Sequence, residues 1–72
     1  MQIENLLPRR QEIVYIIKDH PYISLENITR RFPMTSKRSI AYDVQQLVKK
    51  KFVVKHGDTR GVRYSAAKIT SI

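Results

Sequence analysis

Residues 36–52 read SKRSIAYDVQQLVKKKF, and the way this stretch sorts its side chains decides the fold. With Ile40 set at zero and about 100° advanced per residue, Val44, Leu47 and Val48 fall in one arc around it. Arg38, Tyr42, Gln45, Gln46 and Lys49 fall on the far side. Asp43 lies between the two faces, where it can pair with a basic group at an adjacent turn or on a neighbouring helix. Ser39 and Ala41 are small and let the helix approach a surface closely. Ser36, ahead of Thr35 as a candidate, is placed to cap the first turn with its hydroxyl. The stretch reads as a helix with one flank to bury and a cationic, amide-rich flank to leave open.

Two shorter helical patterns precede it. PRRQEIVYIIKDHP opens on Pro8, which suits a first turn where its missing N–H has no partner to lose. Ile13, Ile16 and Ile17, with Val14 alongside, give a broad apolar side, and Pro21 stops the element. In YISLENITRRFP, Ser24 is the expected cap, and Ile23 with Ile28 fits a hydrophobic staple. Leu25, Ile28 and Phe32 then face inward, and Pro33 ends a helix too short to stand alone. After Lys51 the period changes. Phe52–Lys55 and Val62–Tyr64 are β-prone runs around HGDTRG, with Val62 and Tyr64 sharing one face and Arg63 on the other. Gly57 and Gly61 supply the backbone freedom of a hairpin turn. The closing AKITSI is consistent with either a strand edge or a loose end.

Three helices followed by a hairpin, with RFPMTS as the short connection between the second and third, is the order of a winged helix-turn-helix. The expected class is α+β: a three-helix core and a C-terminal β-hairpin wing. One domain is expected over residues 1–72, with helices near 8–20, 24–32 and 36–50 and the wing near 52–66.

Charge points the same way. Of the net +8, residues 1–29 carry −1 and residues 30–72 carry +9. A field so lopsided attracts polyanions; a merely soluble basic surface accounts for the total but less easily for the asymmetry. There is no Cys, hence no disulfide and no thiolate metal site. His20 and His56 do not form a zinc set; His20 reads as a helix-end residue and His56 as wing surface. No apolar run has the length of a membrane span, and MQIENLLPRR lacks a secretory layout. A protein of the cytoplasm or nucleoid is expected, with no cofactor and no metal. The carboxylates are scattered, and HGDTRG lacks the glycine run and Lys-Ser or Lys-Thr ending of a phosphate-cradling loop, so no enzyme is expected.

SKRSIAYDVQQLVKKKFVVKHGDTRGVRYSA resembles the Ser-x-Arg-Thr-Ile-x-x-Asp-Ile-x-x-Leu-x-x-x-Gly-hydrophobic pattern of winged domains in DeoR-type bacterial repressors. It is also similar to the small winged domains of Fic proteins and related prokaryotic regulators, whose hairpins often read Gly-x-Gly-x-x-Tyr. The resemblance implies Ser36 as the cap of a DNA-recognition helix and Arg38 in its first turn beside the DNA backbone. It places Ile40, Val44 and Leu47 in the core, Asp43 at an acidic position within the helix, and Gly61 and Tyr64 on the returning strand. Two positions depart from it. Lys51 stands where the family has Gly, so Lys51 adopts either a right-handed conformation or a costly left-handed one. Tyr42 and Gln45 replace the usual basic pairs.

The expected function is sequence-selective binding of double-stranded DNA by a small transcriptional regulator, with the third helix in the major groove. Arg38, Tyr42, Gln45 and Gln46 are the candidates for base contacts: arginine matches guanine O6 and N7, and a carboxamide matches adenine N6 and N7. Lys37, Ser39, Lys49, Arg60 and Arg63 are the candidates for backbone contacts. The bland readings stand beside these. Arg38 is then a solvated arginine, the glutamines are good helix formers, and Tyr42 folds onto the stems of Arg38 or Gln46. Lys49, Lys50 and Lys51 then only complement a helix C-terminus. Val14 or Ile16 has no obvious neighbour in a three-helix core, and Tyr15 borders it, which hints at a homodimer through helix one and the chain ends. The rival function is a winged module that binds protein without reading bases. RNA is a third, with only Tyr42 standing out as an exposed stacking ring.

Overall fold

The computed structural model describes residues 6–57 and 61–67. Helix α1 spans Pro8–Asp19, α2 Leu25–Thr29 and α3 Lys37–Lys49; strands β1, Val53–His56, and β2, Arg63–Ala66, follow. The strands pair antiparallel, Val53 with Ala66 and Lys55 with Tyr64. Ile23, between α1 and α2, adds one more antiparallel bridge: its N–H donates to Tyr64 O at 3.1 Å, and Tyr64 N–H donates to Ile23 O at 2.9 Å. This is the winged-helix arrangement. The closing residues 68–72, for which a strand edge or a loose end was open, lie outside the described residues.

Each helix begins as its sequence dictates. Pro8 occupies the first turn of α1. The hydroxyls of Ser24 and Ser36 accept from the N–H groups of Asn27 and Ser39, both at 3.2 Å. Regular α2 stops at Thr29, short of the expected residue 32, and the chain continues in tighter turns through Arg31 N–H to Ile28 O and Phe32 N–H to Thr29 O. The core joins Ile13, Val14 and Ile17 of α1 with Ile28 of α2, Ile40, Val44 and Leu47 of α3, and Phe52 and Val53 of the hairpin. Val14 is fully buried and Ile16 packs against this cluster, so neither lacks neighbours. The reason is that α1 packs on β2 as well as on the other helices, a wall that a three-helix count omits.

One polar group is buried with the apolar ones. Asp43, 2% exposed, receives Arg10 Nε at 3.0 Å on one carboxylate oxygen and Arg9 Nε on the other. Both arginines lie in the first turn of α1, where the helix dipole opposes positive charge; the carboxylate offsets that cost and ties α1 to the middle of α3. Burial pushes the Asp43 carboxyl up, but the hydrogen bonds and charges of Arg9 and Arg10 outweigh it and hold it below the usual carboxylate value.

The end of α3 answers the question posed by Lys51. Its φ is +68°, the left-handed region. Lys51 N–H donates to Val48 O and Phe52 N–H to Leu47 O, both at 3.0 Å. These two bonds make a Schellman ending, with Phe52 packed in the same core as Leu47. Lysine therefore holds, at this helix end, the left-handed conformation that glycine adopts without strain, and the hairpin leaves the helix at the angle that this ending sets.

Two stability measurements check these readings. Lys51→Gly relieves a left-handed side chain and stabilises the fold by about 0.5–1 kcal/mol, roughly 2–8 °C in Tm, while Lys51→Ala brings no gain. Asp43→Asn costs about 2–3 kcal/mol at pH 7 by leaving the arginines without their anion. Because the folded carboxyl titrates below its unfolded value, this stabilisation is complete above about pH 4 and lost below it as Asp43 protonates. Denaturant melts at pH 7 and below pH 4 then show the gap between wild type and Asp43→Asn closing only in acid.

Candidate nucleic-acid interface

With Asp43 turned inward, the outward flank of α3 has no acid on it. Arg38, Tyr42, Gln45 and Lys49 are all exposed there. They come from successive turns, spaced three and four residues apart, so they form one strip along the helix. Helix α1 has no comparable strip: its Arg9 and Arg10 pair with Asp43, and Glu12 and Asp19 stand among its exposed side chains.

The other candidates are less uniformly placed. Gln46 is half-buried and sits one turn beyond Tyr42 and Asp43, on the α1 side of the strip. Ser39 is half-buried, and its hydroxyl accepts from that of Ser36 at 3.1 Å. Tyr42 remains 56% exposed, and the guanidinium of Arg10 lies over its ring, 5.8 Å from the centroid. That arrangement is a cation–π contact, and it joins Tyr42 to the pair at Asp43. Lys37 is exposed at the start of α3 and shares a cleft with Ser24, Glu26, Asn27, Val62 and Arg63, so one acid stands beside its two cations. Arg63 pairs with His56 and lies on the hairpin face opposite Tyr64. Arg60 lies outside the described residues. The structure thus brings Arg38, Tyr42, Gln45 and Lys49 together, sets Lys37 and Arg63 at a neighbouring cleft, and leaves Gln46 and Ser39 at the margins.

Between α3 and the hairpin lies a second open cleft of about 430 Å³, lined by Ala41, Gln45, Val48, Lys49, Lys55 and Tyr64. Lys55 was missed as a candidate. The signal for it is the two-residue period of β1: Lys55 shares a face with Val53, and that face turns toward α3. Burial raises the Tyr64 phenol above its ordinary pKa, so its hydroxyl keeps its proton. The histidines take local partners. His20, the residue closing α1, accepts from Arg31 through Nε2 at 2.9 Å, as it must because a guanidinium only donates. His56 Nε2 is 2.7 Å from Ser65 Oγ, and its ring lies 4.8 Å from that of Tyr22. Among the described residues no group of His, Cys, Asp and Glu could hold a metal, and no helix is long and apolar enough to cross a membrane. Tyr15 and Tyr22 are also exposed, so Tyr42 does not stand out as the sequence suggested; Tyr15 lies on α1, Tyr22 in the turn after it and Tyr42 on α3.

No protein-family model and no curated protein matches the chain. Two solved structures do. One is the multiple antibiotic-resistance repressor MarR of Listeria monocytogenes, with a TM-score of 0.79 and 26% identity over 89% of this chain. The chain spans 44% of that protein's length. The other is dissimilatory sulfite reductase D, DsrD, with a TM-score of 0.75 and 14% identity, covering 92% of this chain and 100% of DsrD. The similarity to both supports the winged-helix fold, while a DeoR-type or Fic-associated subtype finds no counterpart in either.

Proposed function

We propose that this chain binds double-stranded DNA as a winged-helix transcriptional regulator, with α3 in the major groove and the wing on the adjacent backbone or minor groove. The observation that carries the reading is the outward strip of α3. It presents Arg38, Gln45 and Lys49 with the free part of Tyr42, while the helix's sole acid is buried against α1. The similarity to a repressor over most of this chain supports the same reading.

In this reading Arg38 and Gln45 contact base edges, because their forked or paired donors and acceptors match guanine and adenine. Tyr42, steadied by Arg10, offers its ring edge and hydroxyl, and Gln46 assists from the margin. Lys37, Lys49 and Arg63 meet phosphates, with Ser39 donating one bond, and Arg60 reaches from the wing tip. These contacts supply affinity that is largely independent of sequence. The strip is polar and charged apart from one ring, which favours an anionic duplex over the apolar contact that a protein-binding wing would use. A homodimer through α1 and the chain ends belongs to the same proposal. Since the core absorbs Val14 and Ile16, the large exposed side chains left to it near α1 are Leu7 and Tyr15.

A salt titration of binding to random and selected duplexes, with the mass in solution measured alongside, tests this reading. Lys49→Ala weakens binding about equally on all sequences and lowers the log–log salt slope by about 0.9, one phosphate. Gln45→Ala instead changes the ranking of sequences, costing about 1–3 kcal/mol on the preferred site and little on random DNA. Equal losses for Gln45→Ala on every duplex remove its reading role, and no salt-dependent binding by the wild type removes the function.

A further inference from the structure

The cleft between α3 and the hairpin has a composition that the fold alone does not require. Val53, Tyr64 and Ala66 on the inner face of the hairpin all pack with the core. Lys55 continues that face but is exposed, emerging beside the outer strip of α3. Lys49 reaches the same cleft from the helix. Two ammonium groups from different elements therefore border one concavity, and none of its lining residues is acidic. An anion entering the cleft is attracted by both and meets no lining carboxylate. The remaining lining suits more than a bare ion. Ala41 and Val48 supply an apolar surface, and Gln45 and Tyr64 supply polar groups, the Tyr64 hydroxyl remaining a donor. Lysines act on a phosphate as flexible point charges and need no fixed fork geometry to hold it.

We infer that this cleft is a phosphodiester site, in which Lys49 and Lys55 jointly hold one DNA backbone phosphate and Ala41 and Val48 take the adjoining deoxyribose. The inference rests on the DNA-binding reading and deepens it. A phosphate gripped from both helix and wing sets how far α3 enters the groove, which makes Lys55 a positioning residue for the contacts of Arg38 and Gln45.

The experiment measures duplex binding against salt for Lys55→Gln, Lys49→Ala and the double variant, with thermal melts as the control for folding. Lys55→Gln weakens binding to random duplexes and weakens it further on selected ones, because the base contacts of Arg38 and Gln45 are displaced along with the phosphate. The double variant has the salt slope of Lys49→Ala, about 0.9 below wild type, because one phosphate is lost. A slope about 1.8 below wild type means two separate phosphates and overturns the shared site. Wild-type affinity for Lys55→Gln overturns it too, while leaving the DNA-binding reading intact. Failure of the wild type to bind any duplex removes both. Amide chemical shifts identify the source of the phosphate: the duplex moves Ala41, Gln45 and Lys55, and inorganic phosphate or thymidine monophosphate at equal phosphate concentration does not. Saturable binding of the mononucleotide at those amides assigns the cleft to a free nucleotide and overturns the backbone site.

Discussion

The burial of Asp43 between Arg9 and Arg10 is the constraint on which the rest of this structure depends. A carboxylate taken out of water is costly unless it is paired and hydrogen-bonded, and here each oxygen has its own guanidinium. The pairing reaches across more than thirty residues of chain and fixes the rotation of α3 about its axis relative to α1. It also sorts charge. The acid of α3 and the two cations at the start of α1 neutralise one another at the helix interface, and the cations on the opposite flank of α3 are left without a counterion on their own helix. Arg10 extends the arrangement by lying over Tyr42, so a single side chain steadies both an interior acid and an exposed ring.

The second constraint is the end of α3. The Schellman bonds at Lys51 and Phe52 reverse the chain within two residues and send β1 back beside the helix it has just left. A left-handed lysine costs energy that glycine would avoid. The capped carbonyls, the burial of Phe52 and the pairing of β1 with β2 offset that cost. The bridge between Ile23 and Tyr64 then anchors the returning strand to the segment before α2. The wing is held at both ends of the helix-turn-helix, and the cleft between α3 and the hairpin is a consequence of that placement.

Much of this was legible in the residues, and the limits have physical causes. The apolar arc of Ile40, Val44 and Leu47, the serine caps and the staple of Ile23 and Ile28 are local signals with a fixed period or offset, and the structure carries each of them. Asp43 could be recognised as a group needing a basic partner, but not as the partner of Arg9 and Arg10, because that pairing depends on how two distant helices cross. Tyr42 falls by angle on the open flank and is exposed there, and the cation over its ring, Arg10, comes from α1. The apparent surplus of apolar residues on α1 arose from counting helices only; the hairpin supplies the missing wall. Lys55 is legible as a cation in a β-prone run, but its place beside α3 depends on how the hairpin folds back on the helix. Arg60, the wing-tip candidate, lies outside the described residues.

The division of labour in the proposed interface follows from the chemistry of its side chains. Lysines at the helix end and on the wing are flexible point charges, suited to phosphates whose positions vary little with sequence. Arg38 and Gln45 carry several donors and acceptors at fixed angles, which is what discrimination between base edges requires. Such discrimination is effective only if the helix that bears them cannot roll, since a rotation of a few tens of degrees would exchange one strip of side chains for the next. The buried pairing with α1 resists that rolling from behind, and the wing braces the helix from the side. In the proposed interface the inward-facing acid is thus a condition for reading bases although it would touch none of them.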